Sequence, residues 1–455
     1  MNHYQHLLHG AGVALLLLSA NAMAAVSADQ AAQLGSTLTP TGAERAGNAD
    51  GSIPAWTGGL ASNVGSVDER GFRSNPFKDE KPLFTIDASN VEQYKDKLSV
   101  GQQAMFKRYP QSFKMNVYPT HRSLAMTDDI YAETRKNATT TQLTADGYGI
   151  QNYFRGVAFP IPQSGAELIW NHLVRPSGSG YHRLTITAVP EANGRYTPNA
   201  MLQEAQVASY LPDYDKLENK NLSLFYKLRN ISPAIYAGNV FVTHDTFNPV
   251  AEPRSAWSYN AGQRRVRRAP QIAYDGPSST GGAQHTADNF TMFNGAIDHY
   301  NWKIVGKREL YIPYNNYALE DPSLKYDDII KPGHLNPQYV RYELHRVWVL
   351  EATLKEGQRH MYAKREMYID EDSWAISLVD HYDSRGNFWR LSEAYLTELY
   401  DIKVMAMPIE SCYDVQNGRY FTAGLRNEET TKAEYNWSAP FSNFSPNSLR
   451  TSGVR

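Results

Sequence analysis

Apolar residues recur with two different periods along this chain, and the change falls near its middle. From Val340 onward, Val340, Tyr342, Leu344, Trp348 and Leu350 alternate with Arg341, Glu343 and His345. A period of two predicts a strand with one apolar face. The pattern then repeats. Arg359 to Asp370 reads as a second strand, Glu371-Asp372-Ser373 as a turn, and Trp374 to Val379 as a third strand. Asp383-Ser384-Arg385-Gly386-Asn387 is a second turn and Phe388 to Leu396 a fourth strand. Links this short require antiparallel neighbours. Earlier strands are predicted at Leu184 to Val189, Asn239 to Thr243 and Ser255 to Tyr259.

The first half carries helix signals instead. Ser89 and Glu92 have capping-box spacing, with Val91, Tyr94 and Leu98 on one face, which predicts a helix over 89–109 that Gly101 interrupts. Ser164 and Glu167 repeat the box and open a short helix through Trp170 and Leu173 that must stop before Pro176. A third helix is predicted over about 214–229, where Leu217, Leu224, Phe225 and Leu228 share a side. These elements predict an α+β, β-rich fold: one large curved antiparallel sheet with helices packed on its open side. No dinucleotide motif or β-α-β alternation is present, which argues against a doubly wound fold.

Two segments precede this domain. An apolar run at Ala11 to Leu18, followed by Asn21-Ala22-Met23-Ala24-Ala25, has the form of a signal peptide cleaved after Ala24. The run is too short for a permanent membrane span, although its n-region offers only His3, His6 and His9 in place of Lys or Arg. The chain is therefore read as a signal peptide over 1–24, an extended arm plus helix over 25–145, and the sheet domain over 146–455. Within the arm, 38–59 alternates Gly, Pro and Asn too densely for a helix or central strand, and Ile53 and Trp56 are its apolar anchors.

Charge and cysteine usage narrow the function. A net charge of -2 supplies no global field to recruit nucleic acid or an anionic membrane. Cys412 is the only cysteine, so an intramolecular disulfide is excluded and an ordinary core must stabilise the fold. Aromatics make up 12% of the chain, and Tyr and Trp suit pleated surfaces and amphipathic grooves alike.

Catalytic signatures are missing: no G-x-S-x-G elbow, no H-E-x-x-H, no H-x-H and no phosphate loop occurs. His244-Asp245, Asp298-His299 and Asp380-His381 are neighbours in sequence, but within a strand such neighbours point to opposite faces. Neither catalytic residues nor a metal or other cofactor are expected. The most unusual stretch is 256–268, read as strand, bend at Asn260 to Gln263, and returning strand. There Arg264, Val266 and Arg268 face one way and Arg265 and Arg267 the other. These arginines either protect an exposed edge strand or meet the polar end of a ligand. Arg346 poses the same question, since it interrupts an apolar row between Leu344 and Trp348. Candidate ligand-binding residues are therefore Trp257, Tyr259, Arg264, Arg265, Arg267, Arg268, Tyr342, Arg346, Trp348, Trp374, Ile376 and Leu378.

Several blocks carry a family resemblance: 38–59, Gly156 to Pro162 running into Trp170-Asn171-His172-Leu173, 256–270, Phe293-Asn294-Gly295, 302–315, and Gly333-His334-Leu335-Asn336-Pro337 through Arg390. The chain resembles an uncharacterised proteobacterial periplasmic family described as outer-membrane lipoprotein-sorting-like, related in fold to the LolA and LolB carriers. The resemblance implies an incomplete antiparallel β-barrel with an apolar concavity able to take acyl chains. It also implies an outer-membrane partner protein and an inner-membrane exporter of the resistance-nodulation-division type. Residues and resemblance together give a periplasmic, non-enzymatic carrier of a hydrophobic or amphiphilic ligand. The alternative is an adaptor that binds an envelope transport complex through its arm and exposed aromatics and has no cavity.

Overall fold

Alternation in the C-terminal half and a matching series of strands before it build one sheet. The computed structural model describes residues 26–269, 274–278 and 281–453, so the signal-peptide segment lies outside the described residues. We number the principal strands β1 (Gly180–Ala188), β2 (Asn199–Val207), β3 (Leu222–Asn230), β4 (Val240–Thr246), β5 (Ser255–Asn260) and β6 (Arg265–Arg268). The series continues with β7 (Tyr300–Pro313), β8 (Arg341–Leu354), β9 (Lys364–Asp370), β10 (Ile376–Tyr382), β11 (Phe388–Leu399), β12 (Val404–Asp414) and β13 (Tyr420–Leu425). Three helices matter below: α1 (Val100–Arg108), α2 (Asp128–Thr140) and α3 (Gly165–Leu173).

The sheet is 16-stranded. Starting from β7, neighbours run β8 to β13 in sequence; β13 then pairs with β1, and β1 to β6 follow in sequence. Each of these ladders is antiparallel, as short connections require, whereas the small strand Met115–Val117 lies parallel to the start of β8. Among the described residues no ladder joins β6 to β7, so the sheet curls without closing. The expected architecture of a curved, open sheet with few helices is the one observed.

Two of the helix expectations change. Over 89–109, only Val100–Arg108 is α-helical, preceded by 3-10 turns at Val91–Gln93 and Lys95–Lys97. Ser89 donates its N–H and its hydroxyl to Asp87 at 2.9 and 2.6 Å, so an aspartate-initiated turn takes the place of the expected cap. The capping box belongs instead to Ser99 and Gln102. Over 214–229 the predicted helix is a 3-10 turn followed by β3. The helix expected at Ser164 is present, with Ser164 accepting from the Glu167 N–H.

The main core lies in the β7–β12 half, with α1 across β10 and β11 and α3 across β7 and β8. A second core lies outside β2 to β5, where Phe225, Val240, Val242 and Tyr259 pack against Phe444 and Leu449 of the C-terminal tail. Burying side chains of this size contributes about 1.5–3 kcal/mol each. The arm wraps the β8–β10 end, burying Ile53 and placing the Trp56 indole N–H 3.0 Å from the Leu124 carbonyl. One expectation about β8 is corrected here. Arg341, Glu343 and His345 are not solvated but buried, because the arm and the 118–126 segment cover that face. Among the described residues no helix is long and apolar enough to cross a membrane.

Candidate functional site: a cavity on the concave face of β1 to β4

Strand register sets the floor of a cavity of about 670 Å³. Tyr181 pairs with Ala205, Ala205 with Tyr226, and Tyr226 with Thr243, so one row of side chains crosses four strands on the same face. Arg183, Gln203, Leu228 and Phe241 form the row on one side, and Val207, Leu224 and Asp245 the row on the other. Val404, Met407 and Glu410 of β12 form a wall. The roof comes from Ile130 of α2, the 153–156 segment and the end of α3 continuing through Arg175. The opposite face of β3 and β4 carries Phe225, Val242 and His244, already buried against the tail. The sheet is thus two-sided, and this free space lies on its inner side.

That space is mainly apolar and has exposed lining residues at one end, Asp129, Phe154, Ser177 and Asn436, which mark its mouth. It falls within the about 300–1,000 Å³ of sites that enclose small molecules.

Polar groups in the lining are unevenly partnered. Arg183 donates to Gln203 Oε1 at 3.0 Å and to the Pro408 carbonyl at 3.2 Å. Arg175 donates to the His172 carbonyl at 2.9 Å, while its Nε is buried without a partner. Among the described residues neither guanidinium has a carboxylate in ion-pair contact. Desolvation pulls Arg175 down to about 10, even with Tyr181 and Glu410 nearby. Burial pushes Glu410 up to about 7, opposed by the Met292 N–H and by the two arginines. Asp245 on the floor is paired with Arg254, and Glu410 is held toward its neutral form, so Arg175 and Arg183, which have no carboxylate in ion-pair contact among the described residues, favour an incoming negative charge. At the mouth, Arg155 stacks on Tyr210 with its guanidinium 3.7 Å from the ring centre and donates to the Ser209 carbonyl.

None of the candidate residues named from the sequence lines this cavity. Trp374, Ile376 and Leu378 are solid core, and the Tyr342 hydroxyl lies 3.2 Å from Glu393 Oε1. Trp374 adopts φ 60° and donates its indole N–H to the Thr41 carbonyl of the arm. Trp348 stacks beside Trp374, with the Lys307 ammonium 4.8 Å from the centre of its ring. Arg346 is occupied: it donates to Glu371 at 2.7 Å and to the carbonyls of Glu44 and Ala46. Trp257 and Tyr259 belong to the outer core under the tail. The bend falls at Ala261–Arg264, one residue later than expected, and Arg264, Arg265, Arg267 and Arg268 are exposed along the edge strand β6. The lining residues Tyr181, Arg183, Tyr226, Arg175 and Glu410 were missed. Alternation of Tyr181 and Arg183 with His182 and Leu184 was the available signal for the first two.

The histidine-acid neighbours in strands do point apart. His244 bonds to the Phe444 carbonyl on the outer face, while Asp245 pairs with Arg254 on the inner one. His381 meets the Ser392 hydroxyl, whereas Asp380 accepts from Ser99 and Gly101.

Comparison with known proteins places the chain in a family. Residues 85–450 match the family model described as protein of unknown function DUF1329, and the chain belongs to that family. It is 52% identical over 449 residues to the uncharacterized protein PA3922 of Pseudomonas aeruginosa, covering 99% of both chains. Among solved structures it is similar to a DUF1329 family protein from Desulfovibrio piger, with TM-score 0.41, 11% identity, 60% of this chain and 92% of that one. A putative outer membrane lipoprotein-sorting protein domain from Vibrio parahaemolyticus gives TM-score 0.41 and 13% identity over 60% and 92% of the two chains. A LolA superfamily protein from Nitrosomonas europaea gives TM-score 0.37 and 11% identity over 62% and 98%.

Proposed function

We propose that this DUF1329 protein is an exported, non-enzymatic carrier that holds a lipid-like amphiphile in the cavity of β1 to β4. The observation that carries the reading is the cavity itself, apolar along Val207, Leu224, Leu228, Phe241 and Met407 and provided with two half-buried guanidinium groups that have no carboxylate in ion-pair contact among the described residues. Burial of acyl carbons against those walls supplies affinity at about 0.8 kcal/mol per CH₂. Arg175 and Arg183 take the polar head, and the exposed end beside Phe154 is the way in and out. The apolar run and small residues before Ala25, which have the form of a cleaved signal peptide, support export of the mature chain to the periplasm. The outer-membrane protein and the resistance-nodulation-division exporter implied by the family resemblance would stand at the two ends of such a transfer.

The test is native mass spectrometry of the mature protein purified from periplasm, followed by organic extraction of whatever it carries. Wild type is expected to retain an amphiphile. Ala205→Trp, which fills the middle of the floor between Tyr181 and Tyr226, should lose it while remaining folded by circular dichroism. A wild-type chain that carries nothing, and takes up no fatty acid or phospholipid when these are offered, would sink the carrier reading.

A further inference from the structure

On the β8 side, far along the sheet from the cavity, the arm covers a buried polar cluster whose hydrogen bonding is incomplete at one point. His345 Nε2 lies 3.2 Å from Glu343 Oε2, and Glu343 is fixed in turn by Arg341 at 2.6 Å, Asn315 at 2.9 Å and the His121 N–H at 2.7 Å. A carboxylate is an acceptor only, so Nε2 carries the proton and Nδ1 presents its lone pair. That lone pair faces Asp370 Oδ1 at 3.8 Å, an oxygen that has no hydrogen-bond partner. The other oxygen, Asp370 Oδ2, accepts from the Ser373 N–H at 3.0 Å and from its hydroxyl at 2.5 Å. Two acceptors of the protein therefore confront each other at 3.8 Å.

The neighbours sharpen the point. Asp372 is gripped by Arg122 at 2.6 and 2.9 Å, and Glu371 by Arg346 and Lys307 at 2.7 and 2.9 Å. Asp370 alone of these carboxylates lacks a Lys or Arg partner among the described residues. Independently, the Tyr314 ring stacks on the His345 imidazole with centres 4.0 Å apart, and its fully buried hydroxyl also has no partner. Ligand atoms of His345, Asp370 and Asp372 all lie within 4.8 Å of one another, and all three residues are buried.

We propose that His345 Nδ1, Asp370 Oδ1 and an Asp372 oxygen bind a divalent transition-metal ion, zinc fitting best, beside the Tyr314 ring that stacks on His345. One imidazole with two carboxylates suits zinc or manganese, whereas calcium takes six to eight oxygens. The surroundings already have the form that metal sites require, with the histidine's second nitrogen on a carboxylate and the ligand carboxylates held by hydrogen bonds from Ser373 and Arg122. Tetrahedral bonds of about 2.0–2.2 Å put donors about 3.4 Å apart, so the 3.8 Å between His345 Nδ1 and Asp370 Oδ1 must close by a few tenths of an ångström and the widest pair, within 4.8 Å, by up to about 1.4 Å. The ion is structural. It ties β8 to the turn after β9 and to the end of β7, beneath the arm, and does not touch the carrier cavity.

The full mature chain is unfolded in chelator and refolded with Zn²⁺, Mn²⁺ or no metal, then assayed by inductively coupled plasma mass spectrometry and thermal melting. About one zinc per chain and a higher Tm than the metal-free sample are expected, because a site formed only in the folded state adds its binding energy to folding. Co²⁺ offered in place of zinc should give visible d–d absorption that His345→Gln and Asp370→Asn abolish. If those variants do not fold, the wild-type refolding comparison decides by itself. Metal content near zero with an unchanged Tm would mean that the gap holds only water or a proton, and would overturn the proposal. So would full metal content in both folded variants.

Discussion

Arg175 follows the end of α3, lines the cavity, and is left with one side-chain hydrogen bond and a buried Nε without a partner. A cation so placed is costly unless a ligand completes it. Arg175→Met keeps the length of the side chain and removes the charge. Titration with lauric acid should then show affinity reduced by about tenfold or more, the 1.5–3 kcal/mol of a charged hydrogen bond. Binding of an uncharged fluorescent naphthylamine should change little. Equal losses for both probes would mean that Arg175 shapes the cavity without reading charge. Glu410 makes a second prediction. Burial raises it to about 7, against about 4.3 in an unfolded chain, so its neutral form belongs to the folded state. The stability this contributes is complete below about pH 4.3 and is lost as pH rises through about 7. Melting at about pH 5.5 and about pH 8 should therefore show a smaller difference for Glu410→Gln than for wild type, and wild type should bind laurate more weakly at the higher pH. A pH dependence unchanged in the variant would remove Glu410 from this role. None of these residues stood out in the sequence, because a lone Arg or Glu in an alternating row looks the same whether its face is solvated or lines a cavity.

Elements show where sequence patterns decide and where they do not. The meander from β8 to β11 was legible because each strand has clear alternation and its turns carry Asp, Ser, Gly and Asn at the bends, as at Asp383, whose carboxylate accepts from the Arg385 and Asn387 N–H groups. β3 was not legible. Leu224, Tyr226 and Leu228 face the cavity while Phe225 and Lys227 face the outer core, so both faces are covered and the apolar positions fit a helix equally well. At α1 two capping boxes competed ten residues apart, and burial chose the second: Ser99 is fully buried with its hydroxyl 3.0 Å from Asp380 Oδ1. Gly101 sits in the first turn of α1 because a Cβ there would lie 2.4 Å from that same Asp380 oxygen and 2.8 Å from Leu391 Cδ1. Gly101→Ala should therefore destabilise the protein by about 1–3 kcal/mol in urea melts, against the usual gain for alanine in a helix. A neutral or stabilising result would mean that α1 can lift from β10 and β11 without cost.

At the scale of the whole molecule, the open sheet is held in shape from two sides by segments that add only short strands to it. The C-terminal tail closes the outer face of β2 to β5, with Phe444 against Phe225 and the His244 ring bonded to the Phe444 carbonyl. The arm closes the β8–β10 end, where its carbonyls at Glu44 and Ala46 accept from Arg346 and its Thr41 carbonyl accepts from Trp374. Gly42 packs so closely that a Cβ would lie 1.9 Å from the Pro160 carbonyl oxygen, so the arm also touches the segment leading into α3. These contacts make the arm a strut across the β8 half, remote from the cavity of β1 to β4. Ile53, 1% exposed, is its main apolar anchor. Ile53→Ala should cost about 2–5 kcal/mol, the range for deleting a buried aliphatic side chain. Because the arm completes the hydrogen bonding of Arg346 and Trp374, loosening it leaves buried donors unpaired in the sheet itself, and unfolding should remain one cooperative transition at lower temperature. Binding of the naphthylamine probe, measured well below that transition, should be unchanged. Proteolysis that clips the variant's arm without moving the main melting transition would show instead that the arm is a separable cover, and that the sheet keeps its curvature unaided.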